Sequence, residues 1–167
     1  MNIMNWLHLS DLHIRENADW SIFVKDLINL CESKKPIDLV VVTGDFHNFD
    51  DGSDFSKSTQ FLKSLINELN LDIGNDLFLI PGNHDGSFPV VRFKDAFVEY
   101  IKSDYSKINQ DEWGELISQF DAYEKFVHDL IKDYPVEHPA RVHCRMWRNK
   151  INFMHLNSAI VADGKSK

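Results

Sequence analysis

Three short polar clusters in this sequence combine residue types that bind metal ions and move protons. They are Asp11-Leu12-His13, Gly44-Asp45 and Gly82-Asn83-His84-Asp85, and each follows an apolar run of strand length. Carboxylate oxygens, imidazole nitrogens and an amide oxygen are all ligands that divalent cations accept. We therefore predict that the three clusters meet at one metal centre.

Four residues of these clusters are candidate metal ligands by their chemistry. Asp11 and His13 lie two residues apart at the exit of a strand, where a carboxylate oxygen and an imidazole nitrogen can point toward one ion. Asp45 can bridge two cations, because each carboxylate oxygen has lone pairs to spare. Asn83 offers a neutral amide oxygen, which suits a hard divalent ion.

The last cluster adds an imidazole beside that amide. His84 can act as a metal ligand or as a general acid, and Asp85 can orient its ring and raise its basicity. This tetrapeptide is the most specific of the three signals, since a given tetrapeptide occurs by chance in about one chain in a thousand of this length. Asp-x-His and Gly-Asp are each common in ordinary turns.

The elements that must position these clusters alternate between strand and helix. Three apolar runs are predicted strands: Asn5 to Ser10, Leu39 to Thr43 and Leu77 to Ile80. Apolar residues at helical spacing predict an amphipathic helix after each of the first two, with Asp19 placed to cap the first helix. This βαβαβ order implies a parallel sheet covered by helices. Ligands bind beyond the carboxyl ends of the strands in such sheets, which is where all three clusters lie.

The second half of the chain differs in character. Residues 95–137 hold 11 acidic and 4 basic residues, and apolar spacing predicts one helix near residues 93–101 and another from Leu116 to Ile131. We interpret residues 90–137 as a helical insertion beside or over the site; a solvated helical face also accounts for the charge. Arg141 to Trp147 and Ile151 to Asn157 are predicted strands joined by a turn at residues 148–150.

Length and composition indicate one globular domain spanning residues 1–167. The net charge of −8 argues against broad wrapping of nucleic acid but leaves a nuclease open, because bound divalent cations supply positive charge where phosphate lies. No apolar run is long enough to span a membrane and no secretion signal is present, which predicts a cytoplasmic protein with no membrane partner. Cys31 and Cys144 are predicted to be buried free thiols.

The three clusters, in this order, resemble the signature motifs of the calcineurin-like metallophosphoesterase superfamily. Residues 7–13 are similar to its branch of cyclic-nucleotide phosphodiesterases and double-strand-break repair nucleases, which disfavours a protein phosphatase. Residues 153–158 resemble the strand that often follows the third motif. The resemblance implies a layered α/β/β/α fold with flanking helices. It also implies metal-dependent hydrolysis of a phosphodiester, in nucleic acid or a nucleotide, by water activated between two metals.

The resemblance further implies a role for each site residue. Asp45 would bridge two divalent ions, with Asp11 and His13 on one ion and Asn83 on the other. His84 would protonate the leaving oxygen or stabilise the transition state, and Asp85 would stand behind it. Mn²⁺ is the expected ion, although Fe, Zn²⁺ and Mg²⁺ accept the same ligands.

The sequence departs from the family pattern in lacking a later lone histidine ligand and a Gly-His-x-His turn. The resemblance therefore covers the amino-terminal part of the domain, and the fold is expected to be incomplete at its carboxyl end. Three explanations are open: a truncated piece of a longer protein, a partner chain that supplies the missing ligands, or a scaffold that has become a non-catalytic interaction module. Truncation or a split product is favoured, because the sequence stops just after a strand. The ion at Asn83 and Asp45 is expected to bind weakly to this chain alone.

The remaining histidines are assigned mainly to structural positions. His8, His143 and His155 are predicted to pack in strands, and His128 to lie on a surface or partly buried helical face. His47, two residues past Asp45, is close enough to touch substrate, although a structural role is the more common one for such a residue.

Overall fold

A three-stranded parallel sheet forms the centre of the computed structural model, which describes residues 3–15, 19–34, 36–47, 54–86 and 110–161. Its strands are β1 (Trp6–Ser10), β2 (Leu39–Thr43) and β3 (Leu77–Ile80), with β2 in the middle. The register pairs Trp6 with Leu39 and Val40 with Leu77. The predicted parallel sheet is confirmed, and β2 and β3 are almost entirely apolar, because helices cover one face of the sheet and a hairpin the other.

Helices α1 (Trp20–Cys31) and α2 (Ser56–Glu68) make the predicted crossovers between these strands. Asp19 caps α1 as predicted, because its carboxylate accepts a hydrogen bond from the Ser21 backbone N–H at 3.0 Å. The two helices pack against each other, with the Trp20 and Phe61 rings 6.0 Å apart edge to face. Their buried faces form the larger core with one side of the sheet.

Two shorter helices follow, α3 (Gln110–Ser118) and α4 (Asp121–Leu130). The single helix predicted from Leu116 to Ile131 is therefore wrong, since a turn at residues 119–120 divides it. The turn is tight, with the Phe120 N–H bonded to the Ile117 carbonyl, and it directs the buried Phe120 ring into the core. Residues 87–109, which include the other predicted insertion helix, lie outside the described residues.

A β-hairpin of β4 (His143–Trp147) and β5 (Ile151–His155) forms a second, antiparallel sheet. Both predicted strands are confirmed with slightly shorter ends. The turn residues Arg148 and Asn149 have φ values of 45° and 55°, the backbone that a tight hairpin turn requires. The inner face packs on β3, with the Phe153 and Phe78 rings 4.4 Å apart, so the hairpin and the helices lie on opposite faces of the parallel sheet.

The hairpin is fixed to the start of β3 by buried polar contacts. The Asp76 carboxylate accepts hydrogen bonds from the Trp147 indole at 2.9 Å and from the Arg148 guanidinium at 3.0 Å. The Arg145 guanidinium donates to the carbonyl oxygens of Leu77 and Gly74 at 2.8 and 2.6 Å. These contacts set which face of the hairpin is buried.

The two cysteines differ in environment. Cys31 is buried on α1 as predicted, but the predicted burial of Cys144 is wrong. Alternation along β4 explains the error: Arg145 and Trp147 point inward, so Cys144 must point outward. No helix among the described residues is long and apolar enough to cross a membrane.

Candidate metal centre

The three polar clusters follow the carboxyl ends of β1, β2 and β3, and backbone hydrogen bonds continue between them past the sheet. The His13 N–H bonds the Asp45 carbonyl at 2.8 Å, and the Gly44 N–H bonds the Ile80 carbonyl at 2.8 Å. Ile14 and His47 then form an isolated parallel bridge. Backbone hydrogen bonds therefore join the first cluster to the second. The bond from Gly44 to Ile80 joins the second cluster to the end of β3, just before the third cluster.

Several site residues adopt left-handed backbone. The φ values are 52° at Asp11, 43° at His13 and 53° at Asp45, with Gly44 at 81°. Such values are uncommon for residues other than glycine and persist only where the surrounding structure enforces them. Their concentration in two of the predicted ligand clusters shows that tertiary contacts hold this edge of the sheet in an uncommon conformation.

Close approach of two glycines allows the clusters to meet. A Cβ added at Gly44 would lie 2.8 Å from the Gly82 Cα, and a Cβ added at Gly82 would lie 2.2 Å from Asp45 Oδ1. The glycines in the second and third clusters are therefore required for packing as well as for turning the chain.

Gly82→Ala is expected to displace the Asp45 carboxylate. We expect a loss of stability of about 1–3 kcal/mol from overpacking, and a loss of Mn²⁺ affinity of about tenfold or more. Thermal unfolding and calorimetric titration would measure the two effects. The matched control is Gly114→Ala in α3, where an added Cβ meets nothing within 4 Å and should stabilise the helix slightly. Unchanged metal binding in Gly82→Ala would contradict the assigned geometry.

Three predicted site residues come together in this way. The Asp45 carboxylate accepts a hydrogen bond from the His84 backbone N–H at 3.0 Å, and its other oxygen lies 3.8 Å from His13 Nε2. The rings of His13 and His84 meet edge to face at 4.9 Å. Among the described His, Cys, Asp and Glu side chains, ligand atoms of these three lie within 4.8 Å of one another.

This donor set fits a divalent metal ion. Two imidazoles and one carboxylate are ligands that Mn²⁺, Fe and Zn²⁺ accept, and the mutual distances allow one ion to contact all three. The carboxylate is nearly buried, whereas His13 is partly open to solvent, so an ion could enter from the His13 side. From the sequence, His13 and Asp45 were predicted to be metal ligands. His84 was predicted to be either a metal ligand or a general acid.

The other two predicted ligands lie around this group. Asp11 is exposed and stands outside the group of three, although its N–H is tied to the Gly44 carbonyl at 3.3 Å. Asn83 opens the single 3-10 turn Asn83–Asp85 and is half-buried next to His84. The ligand roles of both residues stay predictions.

The predicted support of the His84 ring by Asp85 stays a prediction, and the structure shows a further role for this carboxylate. Asp85 is 1% exposed, and its carboxylate accepts hydrogen bonds from the backbone N–H groups of Phe46 and Gly82, each at 2.8 Å. His47 Nδ1 lies 3.3 Å from the same carboxylate. Through these contacts Asp85 joins the turn after β3 to the turn after β2.

His47 is the residue whose position the sequence left open. It is 4% exposed, and its ring lies 4.4 Å from the Phe55 ring as well as beside Asp85. Burial removes it from contact with substrate in this structure. The sequence did contain a signal for the contact between His47 and Asp85. Asp85 ends the third cluster, and a buried carboxylate needs a hydrogen-bond donor nearby.

The remaining histidines divide between surface and core. The predicted burial of His8 is wrong, because β1 is an edge strand and the His8 ring lies at the surface, 2.8 Å from the Thr43 hydroxyl. His128 is exposed, as predicted. His143 and His155 pack as predicted, with their rings stacked 4.2 Å apart across the hairpin.

Burial, with a smaller contribution from the neighbouring His143, lowers the pKa of His155 to about 4. The unfolded chain takes up this proton near the ordinary value of about 6.5, whereas the folded chain does not. Stability from this group is therefore present above pH 6.5 and is lost as pH falls toward 4, by about 3 kcal/mol. Urea unfolding between about pH 6.5 and 4 should show that the free energy of unfolding declines in the wild type and declines less in His155→Gln. An equal decline with pH in both proteins would contradict the assignment of this effect to His155.

Comparison with known families gives one match. A family model described as calcineurin-like phosphoesterase matches residues 4–157. No curated protein and no solved structure matches the chain. The matched span contains β1 to β5 and all three polar clusters.

Proposed function

Because this chain belongs to the calcineurin-like phosphoesterase family, whose chemistry is metal-dependent hydrolysis of phosphoesters, we propose that its substrate is a phosphodiester in nucleic acid or a nucleotide. The observation that carries the proposal is the convergence of His13, Asp45 and His84 at the carboxyl edge of the parallel sheet. Residues 7–13 support the phosphodiesterase assignment by their similarity to that branch of the family.

We propose that Asp11, His13 and Asp45 hold the first divalent ion and that Asp45, with Asn83, holds a second, with Mn²⁺ the expected metal. When bound, such ions supply a water of lowered pKa and positive charge for the phosphoryl oxygens. The chain itself orients the Asp45 carboxylate. The His84 backbone N–H fixes one oxygen of Asp45 and leaves the other facing His13.

His84 has two candidate roles, and they predict different kinetics. As a ligand it would lower the metal concentration needed for activity. As a general acid it would protonate the departing oxygen, an effect worth about 10²–10⁴-fold that matters most for poor leaving groups. His84→Ala should therefore be compared on an aryl and an alkyl phosphodiester at saturating Mn²⁺. A loss confined to the alkyl ester identifies the acid, and a loss that excess Mn²⁺ restores identifies the ligand.

One observation favours a second candidate, a non-catalytic interaction module. The described group supplies three ligand residues for one ion, and Asp11 stands outside it. Under this alternative the metal would stabilise a docking scaffold, and further histidine ligands from a partner chain would be needed for hydrolysis. The acidic helical region would then be a contact surface for a protein.

The test is a titration with Mn²⁺ combined with hydrolysis of bis-p-nitrophenyl phosphate and of p-nitrophenyl phosphate. We expect Mn²⁺ binding, faster cleavage of the diester than of the monoester, and loss of both binding and cleavage after chelation. Preference for the monoester would overturn the phosphodiester assignment. Metal binding without cleavage of either compound would support the interaction module.

A further inference from the structure

The β4–β5 hairpin is attached to β3 by different chemistry at its two ends. At the turn end, the buried Asp76 carboxylate accepts hydrogen bonds from the Trp147 indole and the Arg148 guanidinium at 2.9 and 3.0 Å. At the open end, His143 pairs directly with His155. No ion pair within the described residues involves either of these two rings. A carboxylate therefore holds one end of the hairpin and imidazoles hold the other, so the two ends should respond differently to acid.

The hydrogen-bond partners of His155 fix its protonation state. Its Nδ1 lies 3.0 Å from the Leu79 carbonyl oxygen, and a carbonyl can only accept, so Nδ1 carries the proton. Its Nε2 is buried and has no hydrogen-bond partner among the described residues. A proton added at Nε2 would create a buried donor without an acceptor and a buried charge. The neutral ring is therefore the form that fits the docked hairpin.

The groups that face the His155 ring supply positive charge or none. On β4, the His143 ring stacks on it at 4.2 Å, and the buried Arg145 guanidinium adds a fixed positive charge near it. The loop before β4 supplies the Tyr134 hydroxyl, which lies 3.2 Å from His143 Nε2. On β3 the facing groups are the Phe78 ring at 5.8 Å and the backbone carbonyl already described. None of these groups is a carboxylate that could offset the charge of a protonated ring.

His143 is held in a neutral form in a similar way. Its Nδ1 donates to the Arg141 carbonyl at 2.8 Å, so its Nε2 is left to accept from the Tyr134 hydroxyl. Burial lowers the pKa of His143, and Arg145 acts in the same direction. Because the pKa of His155 is also lowered, to about 4, both stacked rings resist protonation while the hairpin is docked. Both would take up protons more readily once they reach water.

The open end of the hairpin lies near the third polar cluster. β5 ends at His155 beside Leu79, which lies in the carboxyl half of β3. Beyond β5, the Ile160 carbonyl accepts a hydrogen bond from the Gln119 side chain at 3.0 Å. That side chain lies 3.4 Å from the position of a Cβ added at Gly86, the residue after the cluster. A movement of the open end would therefore occur next to the candidate metal centre.

We propose that the stacked pair of His143 and His155 is a pH-sensitive switch, in which protonation of the rings releases the open end of the hairpin from β3. In neutral solution both rings are uncharged and packed, and His155 donates to β3. In acid the released rings are solvated and hold their protons. The turn end stays attached over the same range, because the Trp147 indole and the Arg148 guanidinium do not titrate there. The hairpin would thus open from one end while the parallel sheet stays folded.

Hydrogen exchange of the full chain, followed by NMR at pH 7 and pH 5 and corrected for the intrinsic exchange rate, tests the switch. The hydrogen-bonded amides among residues 143–145 and 153–155 should lose protection, because a detached two-stranded end has little stability of its own. The expected loss is about 20-fold or more, from an imidazole pKa of about 6.5 when released and about 4 when docked. Low urea concentrations should leave these rates unchanged, because a local opening exposes little surface. Amides of β2 should exchange with a strong dependence on urea.

His155→Gln tests the assignment to this ring. The amide keeps a donor for the Leu79 carbonyl but does not titrate, so the response to pH should shrink to the part that His143 contributes. The matched control is His8→Gln, at an exposed imidazole on β1, which should keep the full response.

Two results would overturn the proposal. One is exchange of the open-end amides only together with those of β2, with the same protection and urea dependence at both pH values, because the hairpin would then open only by complete unfolding. The other is an unchanged pH response in His155→Gln. Should that variant not fold, NMR titration of the wild-type imidazoles decides: His155 must take up its proton over the pH range in which protection is lost, and uptake outside it excludes the switch. These measurements involve neither metal nor phosphodiester, so their outcome is independent of the proposed function.

Discussion

Replacing Asp45 with alanine is expected to remove metal binding and hydrolysis together. Its carboxylate is the one anionic group among the three converging ligand residues, and one of its oxygens is fixed by the His84 backbone N–H. Without it, two neutral imidazoles would have to hold a dication with no compensating charge. We expect Mn²⁺ affinity and the rate of diester cleavage each to fall by more than about 100-fold. Loss of a residue that only hydrogen-bonds a metal ligand typically lowers affinity or activity by about 10–100-fold.

The control for this change is Asp129→Ala. Asp129 is an exposed carboxylate on α4 that pairs with Lys125, and such surface pairs contribute about 0–1 kcal/mol. Calorimetric Mn²⁺ titration and the bis-p-nitrophenyl phosphate assay should both be unchanged in this variant. If Asp45→Ala kept hydrolysis at the level of Asp129→Ala, the assignment of the site would be wrong.

The strands and their order could be predicted from the sequence because local signals and tertiary packing agree there. Leu39 to Thr43 is an uninterrupted β-branched and apolar run, and the structure buries it between helices and hairpin. Leu77 to Ile80 behaves in the same way. Because parallel strands deliver their carboxyl ends to one edge, the meeting of His13, Asp45 and His84 followed from topology.

The errors arise where a side chain's environment depends on distant residues. His8 was expected to be buried, but β1 lies at the edge of the sheet, and the order of strands in a sheet is not encoded by the strand itself. Cys144 faces solvent because Arg145 is anchored to carbonyls about 70 residues away in the chain. The division between α3 and α4 depends on the Phe120 side chain entering the core. No periodicity within a single segment shows such contacts.

The position of Asp85 illustrates the same limit inside the site. The sequence places a carboxylate next to His84, and support of the imidazole was the natural inference. In the structure that carboxylate accepts hydrogen bonds from the backbone N–H groups of Phe46 and Gly82, which the sequence did not indicate. These bonds hold the second and third clusters together.

Asp85→Ala is accordingly expected to have the largest effect on stability of any substitution at the site. It would leave two backbone N–H groups without this acceptor and would remove one contact of the buried His47 ring. Each buried donor left unsatisfied costs about 1–3 kcal/mol, so the free energy of unfolding should fall by about 3–5 kcal/mol. For a chain of this length the melting temperature should drop by about 10 °C or more.

Asp85→Asn separates this backbone role from support of His84. The amide keeps one acceptor oxygen, so we expect about half of the stability loss, and metal affinity should fall in parallel with stability. Asp26→Ala, at an exposed carboxylate on α1, is the control and should change the free energy of unfolding by less than about 0.5 kcal/mol. If Asp85→Asn kept full stability but lost general-acid catalysis on an alkyl diester, the carboxylate would be acting on the His84 ring. The backbone role would then be wrong.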